Sequence, residues 1–197
     1  MSKPVSILTE RLSLGAILAT DIPSIMKYAG SAKVAEKLLD LPHPYYEKDA
    51  IFWLNLAHQG WQDKSRYIFG IRLQETQEII GGIGLHVEAR HNRAELGYWI
   101  GVPFWGQGYM SEAVAAVLKF GFETASLHKI FAIHDIANPA SGKVMSKNGM
   151  IKEGELKDHI KVKGAYKNIA QYGLTKTDYD VMNTCLLYTS PSPRDRG

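Results

Sequence analysis

The chain has 197 residues, 45% hydrophobic and 22% charged, the size and mixture of one globular domain built around a single core. Its formal charge of +3 is small, and Lys and Arg are interleaved with Asp and Glu, so no footprint for duplex nucleic acid is expected. A lone cysteine, Cys185, excludes a disulfide framework, and seven histidines that never fall at HxH or HxxxH spacing predict no metal site.

No apolar run approaches the roughly 18 residues that a membrane span needs, and the start MSKPVSILTERL lacks the basic-then-apolar layout of a secretory signal. A cytoplasmic protein without membrane contact is therefore expected, as a monomer or homodimer.

In chain order, residues 7–14 (ILTERLSL) alternate as a strand, and Thr20-Asp21-Ile22-Pro23 starts a helix through about Tyr28. LPHPYYEKD reads as a loop. The following helix sets Ile51, Leu54, His58 and Trp61 on one face and is expected to end at Gly60-Trp61. Arg66–Leu73, Ile79–Val87 and Ala94–Gly101 then form three strands of an antiparallel meander, separated by polar turns.

After PFWGQGYM the period turns helical, with Val114, Val117, Leu118 and Gly121 on one stripe through about Thr124, and Lys129–Ile133 is a short apolar strand. Asn138-Pro139 starts and Asn148-Gly149 stops a helix of one to two turns. Two last strands, about Met150–Lys161 and Tyr166–Thr175, flank a tight turn at Lys163-Gly164.

Chemistry concentrates at Trp105-Gly106-Gln107-Gly108-Tyr109-Met110-Ser111-Glu112, where glycines lie between a strand and a helix. Glycines let main-chain N–H groups approach a ligand, and a helix N-terminus carries about half a positive charge, so the junction suits a diphosphate. A dinucleotide fingerprint of the GxGxxG type is not completed, and no Lys-Ser/Thr follows the glycines as a P-loop requires.

The order TERL, GYWI, WGQGY, NPAS and KNGM resembles the GNAT superfamily of N-acetyltransferases, in the branch of ribosomal-protein N-terminal alanine and serine acetyltransferases, from about Leu8 to Leu174. The resemblance implies an α/β fold with a mixed, mostly antiparallel sheet, splayed near its fourth strand and covered by helices on both faces. It implies acetyl-CoA as co-substrate, its diphosphate on the amides from Trp105 through Gly106, Gln107, Gly108, Tyr109 and Met110 to Ser111. Asn138 and Ser141 would face the pantetheine arm and sulfur, and a strand N–H among Trp99, Ile100 and Gly101 would hold the oxyanion of the tetrahedral intermediate. Three departures stand out: Met110 where a small residue is usual, with crowding of the turn expected, Gly15 where an Arg is frequent, and Asn168 for Asp.

Transfer to an amine needs the neutral amine. At pH 7 that costs about 4.6 kcal/mol for a lysine side chain and about 1.4 kcal/mol for an α-amino group, which favours the latter as acceptor. Alternation puts Glu95, Gly97 and Trp99 on one face of their strand, and Glu95 is the candidate general base, acting on a water or the amine. A solvated or ion-paired carboxylate is the competing reading. Ser141 is the candidate hydrogen-bond donor to the departing thiolate, against an ordinary first-turn serine. His43, Tyr45, Tyr46 and Trp53 are the candidate acceptor wall, against ordinary packing. Rival functions are acetylation of a polyamine, antibiotic or amino-acid metabolite, and a non-catalytic acetyl-CoA-binding module.

Residues 185–197 begin CLLYTSPSPRD, a string that a transposon-end sequencing adaptor encodes when translated in this frame. The natural domain is therefore expected to be residues 1–184, followed by a non-native, disordered tail.

Overall fold

In the structure, a computed structural model that describes residues 5–189 and side chains up to residue 184, ILTERLSL is two strands rather than one. β1 (Ile7–Leu8) and β2 (Leu12–Gly15) form a hairpin because Thr9 closes the turn: its amide donates to Leu12 O at 3.0 Å and its hydroxyl accepts from Leu12 N at 3.0 Å. Local side-chain bonding of this kind competes with a continuous strand.

The meander matches the alternation closely, as β3 (Arg66–Leu73), β4 (Ile79–Glu88) and β5 (Arg93–Ile100). β6 (Lys129–Asp135), β7 (Ile151–Val162) and β8 (Ala165–Thr175) complete an eight-stranded sheet in the order β1-β2-β3-β4-β5-β6-β8-β7. Lys163 and Gly164, with φ of 48° and 88°, make the β7–β8 turn. Paired positive φ values match the right-handed twist of the flanking strands.

Every strand pair is antiparallel except β5 with β6. That parallel pair holds only at Arg93↔Lys129, Ala94↔Ile130 and Glu95↔Phe131. Beyond Glu95 the strands part, opening a wedge in the middle of the sheet. With β1 and β2 counted as the single strand expected, β5 is the fourth.

Helices cover both faces. α1 (Ile22–Ala29) and α3 (Glu47–Asp63) press Ile25, Ala29, Ala50 and Ala57 onto Ile17, Ile68 and Ile79. α4 (Tyr109–Lys119) packs Val114, Val117 and Leu118 onto Leu14, Leu85 and Leu96 on the other face. α4 runs on through a wide turn, Ala125 N to Phe120 O at 2.9 Å, to Thr124. α5 (Pro139–Lys147) is longer than the one or two turns expected, with Gly149 at φ 78° after its end.

Further helical features depart from expectation. α3 does not stop at Gly60-Trp61 but continues to Asp63, because Gly60 lies against Arg66, where an added Cβ would fall 2.5 Å from Arg66 Cβ. Its buried stripe is Ala50, Ala57, Gly60 and Trp61, which leaves Ile51 41% exposed. Small residues face the sheet because the helix axis runs close to it. The short α2 (Ala32–Ala35) and the C-terminal α6 (Lys176–Thr189) carry no sequence signal that singled them out.

α6 is anchored by Tyr179, whose ring stacks on Phe122 at 4.7 Å and whose hydroxyl donates to Glu123 at 2.9 Å. The backbone of 185–189 continues α6, and the rest of the expected tail lies outside the described residues. Among the described residues, no helix is long and apolar enough to cross a membrane.

Candidate active site

The wedge between β5 and β6 holds a cavity of about 640 Å³. Its walls are the parted ends of the two strands, the turn that leads into α4, the first turns of α5, and the segment 37–41 after α2.

The α4 turn has the conformation its glycines allow. Gly106 and Gly108 have φ of 74° and 82°, a left-handed region costly for any residue with a Cβ. Nothing lies within 4 Å of where a Gly106 Cβ would stand, so the main chain there is open to the cavity. Among the described residues, no main-chain N–H from Gly106 to Ser111 donates to another backbone group, and the first helical bond in the turn comes from Glu112 N to Gly108 O at 3.1 Å. A row of unpaired donors at a helix N-terminus is what a diphosphate needs. Gly106, Gly108, Met110 and Ser111 line the cavity, and Trp105 closes one side, its indole N–H donating to Ile100 O at 2.9 Å.

Met110 does not crowd the turn, contrary to expectation: its side chain is 7% exposed and points into the core beside α4. Gln107 and Tyr109 are not in the cavity wall. Gln107 turns its amide to Pro103 O, and the Tyr109 ring lies under Arg11. Of the two other departures, Gly15 leaves room for the Arg72 guanidinium, which pairs with buried Asp21, and Asn168 accepts from Asp158 N at 2.8 Å in the β7–β8 ladder.

At the strand end, Gly101 N donates to Ile80 O at 2.9 Å, so its N–H is not available to a carbonyl in the cavity. Antiparallel alternation then aims the N–H of Ile100 away from β4, toward the wedge. Trp99 lines the cavity while packing edge-on to Trp53 at 5.7 Å.

Glu95 stands at the apex, the last β5 residue paired with β6, directly across β4 from His86. Both line the cavity, as does Asp40. Burial, then the charges of Asp40 and Glu88, lift the Glu95 carboxyl above its ordinary value. Burial, with Arg66 adding to it, keeps the His86 imidazole below its ordinary value, against an opposing pull from Asp40.

Ser141 lies in the first turn of α5 and lines the cavity opposite Tyr98 of β5. The Tyr98 hydroxyl is 2.9 Å from Ser141 Oγ and 3.1 Å from Ser141 O. Asn138 occupies the position before α5 but makes no capping bond; its amide donates instead to Lys37 O at 3.2 Å, tying α5 to the segment after α2.

None of His43, Tyr45, Tyr46 and Trp53 lines the cavity. Tyr46 is 55% exposed at the start of α3, while Tyr45 and Trp53 are partly buried against the α1–α3 core. Leu38, Leu39, Asp40 and Leu41 line the cavity instead. A four-residue helix and an irregular segment offer no period to read, and so the sequence was silent on them.

A family model described as an acetyltransferase (GNAT) domain matches residues 11–151. The chain belongs to the GNAT acetyltransferase family. It is 31% identical over 175 residues to the uncharacterized N-acetyltransferase p20 of Bacillus licheniformis, covering 87% of this chain and 96% of that protein. To the ribosomal protein uS5-alanine N-acetyltransferase of Escherichia coli it is 29% identical over 128 residues, 64% of this chain and 66% of that protein. A GNAT acetyltransferase structure from Bacillus anthracis superposes with a TM-score of 0.79 at 25% identity, covering 88% of this chain and 99% of that one. This GNAT protein is an acetyl-CoA-dependent N-acetyltransferase, and its splayed mixed sheet with helices on both faces is the GNAT fold.

Proposed function

We propose that this acetyltransferase acts on the α-amino group at a protein or peptide N-terminus. The observation that carries the reading is Glu95: a carboxylate at the apex of the wedge, where β5 and β6 stop pairing, lining the cavity with its carboxyl lifted above the ordinary value by burial. Such a weak base suffices for an α-amine, whose deprotonation at pH 7 costs about 1.4 kcal/mol, and not for a lysine at about 4.6 kcal/mol. Similarity to the uS5-alanine enzyme supports the same class of acceptor.

Acetyl-CoA supplies the activated acetyl thioester. The residues present fit it: unpaired amides from Gly106 to Ser111 receive the diphosphate, and Lys37, Lys143 and Lys147 at the rim balance its charge. In this reading Glu95 takes the amine proton directly or through a water, the Ile100 N–H faces the thioester carbonyl, and the Ser141 hydroxyl donates to the sulfur. Asp40, at the mouth among Leu38, Leu39 and Leu41, meets the incoming ammonium.

The test is thiol release from acetyl-CoA with Ala- and Ser-initiated peptides, the same peptides with blocked N-termini, free lysine and spermidine. Release with unblocked peptides alone is the expected result; turnover of spermidine and not peptides would replace this reading with a small-molecule one.

A further inference from the structure

Where β5 and β6 stop pairing, a hydroxyl of β5 reaches across to the helix that follows β6. Tyr98 Oη lies 2.9 Å from Ser141 Oγ and 3.1 Å from Ser141 O, reaching from β5 to the first turn of α5. Both residues line the cavity, and the Tyr98 ring packs against the core under α4.

A phenol and a serine hydroxyl bring one proton each, and here they share three acceptor positions: the two hydroxyl oxygens and the Ser141 carbonyl. Two arrangements satisfy the pair. In the first, Tyr98 donates to Ser141 O while Ser141 donates back to Tyr98 Oη, so that both protons stay within the protein. In the second, Tyr98 donates to Ser141 Oγ, and the serine proton turns toward the cavity. Only the second leaves a donor for a ligand. Burial pushes the Tyr98 phenol up to about 12, against a smaller opposing effect of Ser141, so Tyr98 keeps its proton at neutral pH in both arrangements.

We propose that Tyr98 is a positioning residue for thioester cleavage: by shifting its proton from Ser141 O to Ser141 Oγ, it frees the serine hydrogen for the departing sulfur of CoA. The inference rests on the reading of Ser141 as the donor to that sulfur. The amine nitrogen forms the new bond to the acetyl carbon, the carbon–sulfur bond breaks, and its electron pair remains on sulfur. The amine proton passes to Glu95, while Ser141 and Tyr98 each keep their own proton and contribute hydrogen bonds alone. The sulfur is protonated afterwards from water.

Tyr98→Phe removes the hydroxyl and keeps the ring, so the core packing is retained, and a thermal melt verifies the fold. Rates are read in a single turnover of bound acetyl-CoA with an Ala-initiated peptide, or with spermidine if the wild type turns over that amine instead. That choice of amine bears on the acceptor and not on Tyr98. Expected is a rate loss of about tenfold, the effect of one hydrogen bond, with KM for both substrates within about twofold of wild type. In the double variant Tyr98→Phe/Ser141→Ala the rate should equal that of Ser141→Ala, because Tyr98 acts only through the serine. A full wild-type rate in Tyr98→Phe, or losses that multiply in the double variant, overturns the role of Tyr98 alone. A full rate in Ser141→Ala overturns the reading of Ser141, and with it this inference.

Discussion

Arg11 and Glu112, 101 residues apart in the chain, meet at 2.7 Å and fasten the β1–β2 turn to the first turn of α4. Arg11 also donates from its side chain to Gln107 O at 2.9 Å, and Glu112 accepts from Arg11 N at 2.8 Å and from Thr9 Oγ1 at 2.6 Å. The carbonyl side of the glycine turn is thereby held, which leaves its N–H groups facing the cavity. Arg11→Ala should fold, since that side chain lies outside the core and is 42% exposed, but should bind CoA roughly ten- to a hundredfold more weakly by calorimetry, as misplacement of a binding group does.

The same clamp has a pH signature. Burial alone would raise the Glu112 carboxyl, but the hydrogen bonds from Thr9 and from Arg11 hold it below the ordinary range. A depressed carboxylate stabilises the fold above its unfolded value of about 4.3, and the contribution is lost as pH falls through the lower folded value. Glu112→Gln should therefore melt below wild type at pH 7, with the two melting temperatures converging in acid. A constant gap at all pH values would speak for packing instead of charge.

Gly106→Ala separates backbone strain from ligand contact. Its φ of 74° makes a Cβ cost about 1 kcal/mol, while no protein atom stands within 4 Å to clash with it. A small drop in melting temperature is expected, together with a loss of CoA affinity of about tenfold or more, because the methyl group occupies the approach to the amides. Unchanged CoA affinity in this variant would argue against the amide grip.

Glu95→Gln should lower kcat/KM for the amine by about a hundredfold or more and abolish the acid limb of its pH profile. In wild type that limb should lie above the ordinary carboxylate value, since burial and then Asp40 and Glu88 raise the group; His86 and Arg66 also stand nearby, and Glu88 is paired with Arg93. Asp40→Asn should move the limb to lower pH. A raised carboxyl favours the fold below its unfolded value, and that benefit is lost as pH rises through the folded value. Glu95→Gln should accordingly melt above wild type at pH 7.

Gly60→Ala should destabilise despite the better helix propensity of alanine, by about 1–3 kcal/mol in urea titration, because the added Cβ would fall 2.5 Å from Arg66 Cβ and 3.0 Å from Arg66 O. Truncation after residue 184 should change neither melting temperature nor acetyl transfer, since Tyr179 and Met182, the core contacts of α6 among the described residues, precede the cut. A large loss of either would make the last residues part of the domain.

Pieces whose signals are local could be read directly from the residues. Alternation set β3, β4 and β5 to within a residue or two, Asn138-Pro139 and Asn148-Gly149 framed α5, and Lys163-Gly164 marked the last turn. The glycines of the α4 turn were legible because positive φ and open main chain are properties of the residue type. Tertiary structure alone decided what those pieces face. The burial of Met110 and the presence of Asp40 at the cavity depend on neighbours far away in the chain, while the break at Thr9 and the continuation of α3 through Gly60 turn on contacts with Leu12 and Arg66 that periodicity does not report. The Tyr98–Ser141 bond joins residues 43 apart across a wedge that exists only because β5 and β6 pair at one end. Periodicity reports which face of an element is apolar; which polar groups meet across a gap is fixed by packing, and packing is not periodic.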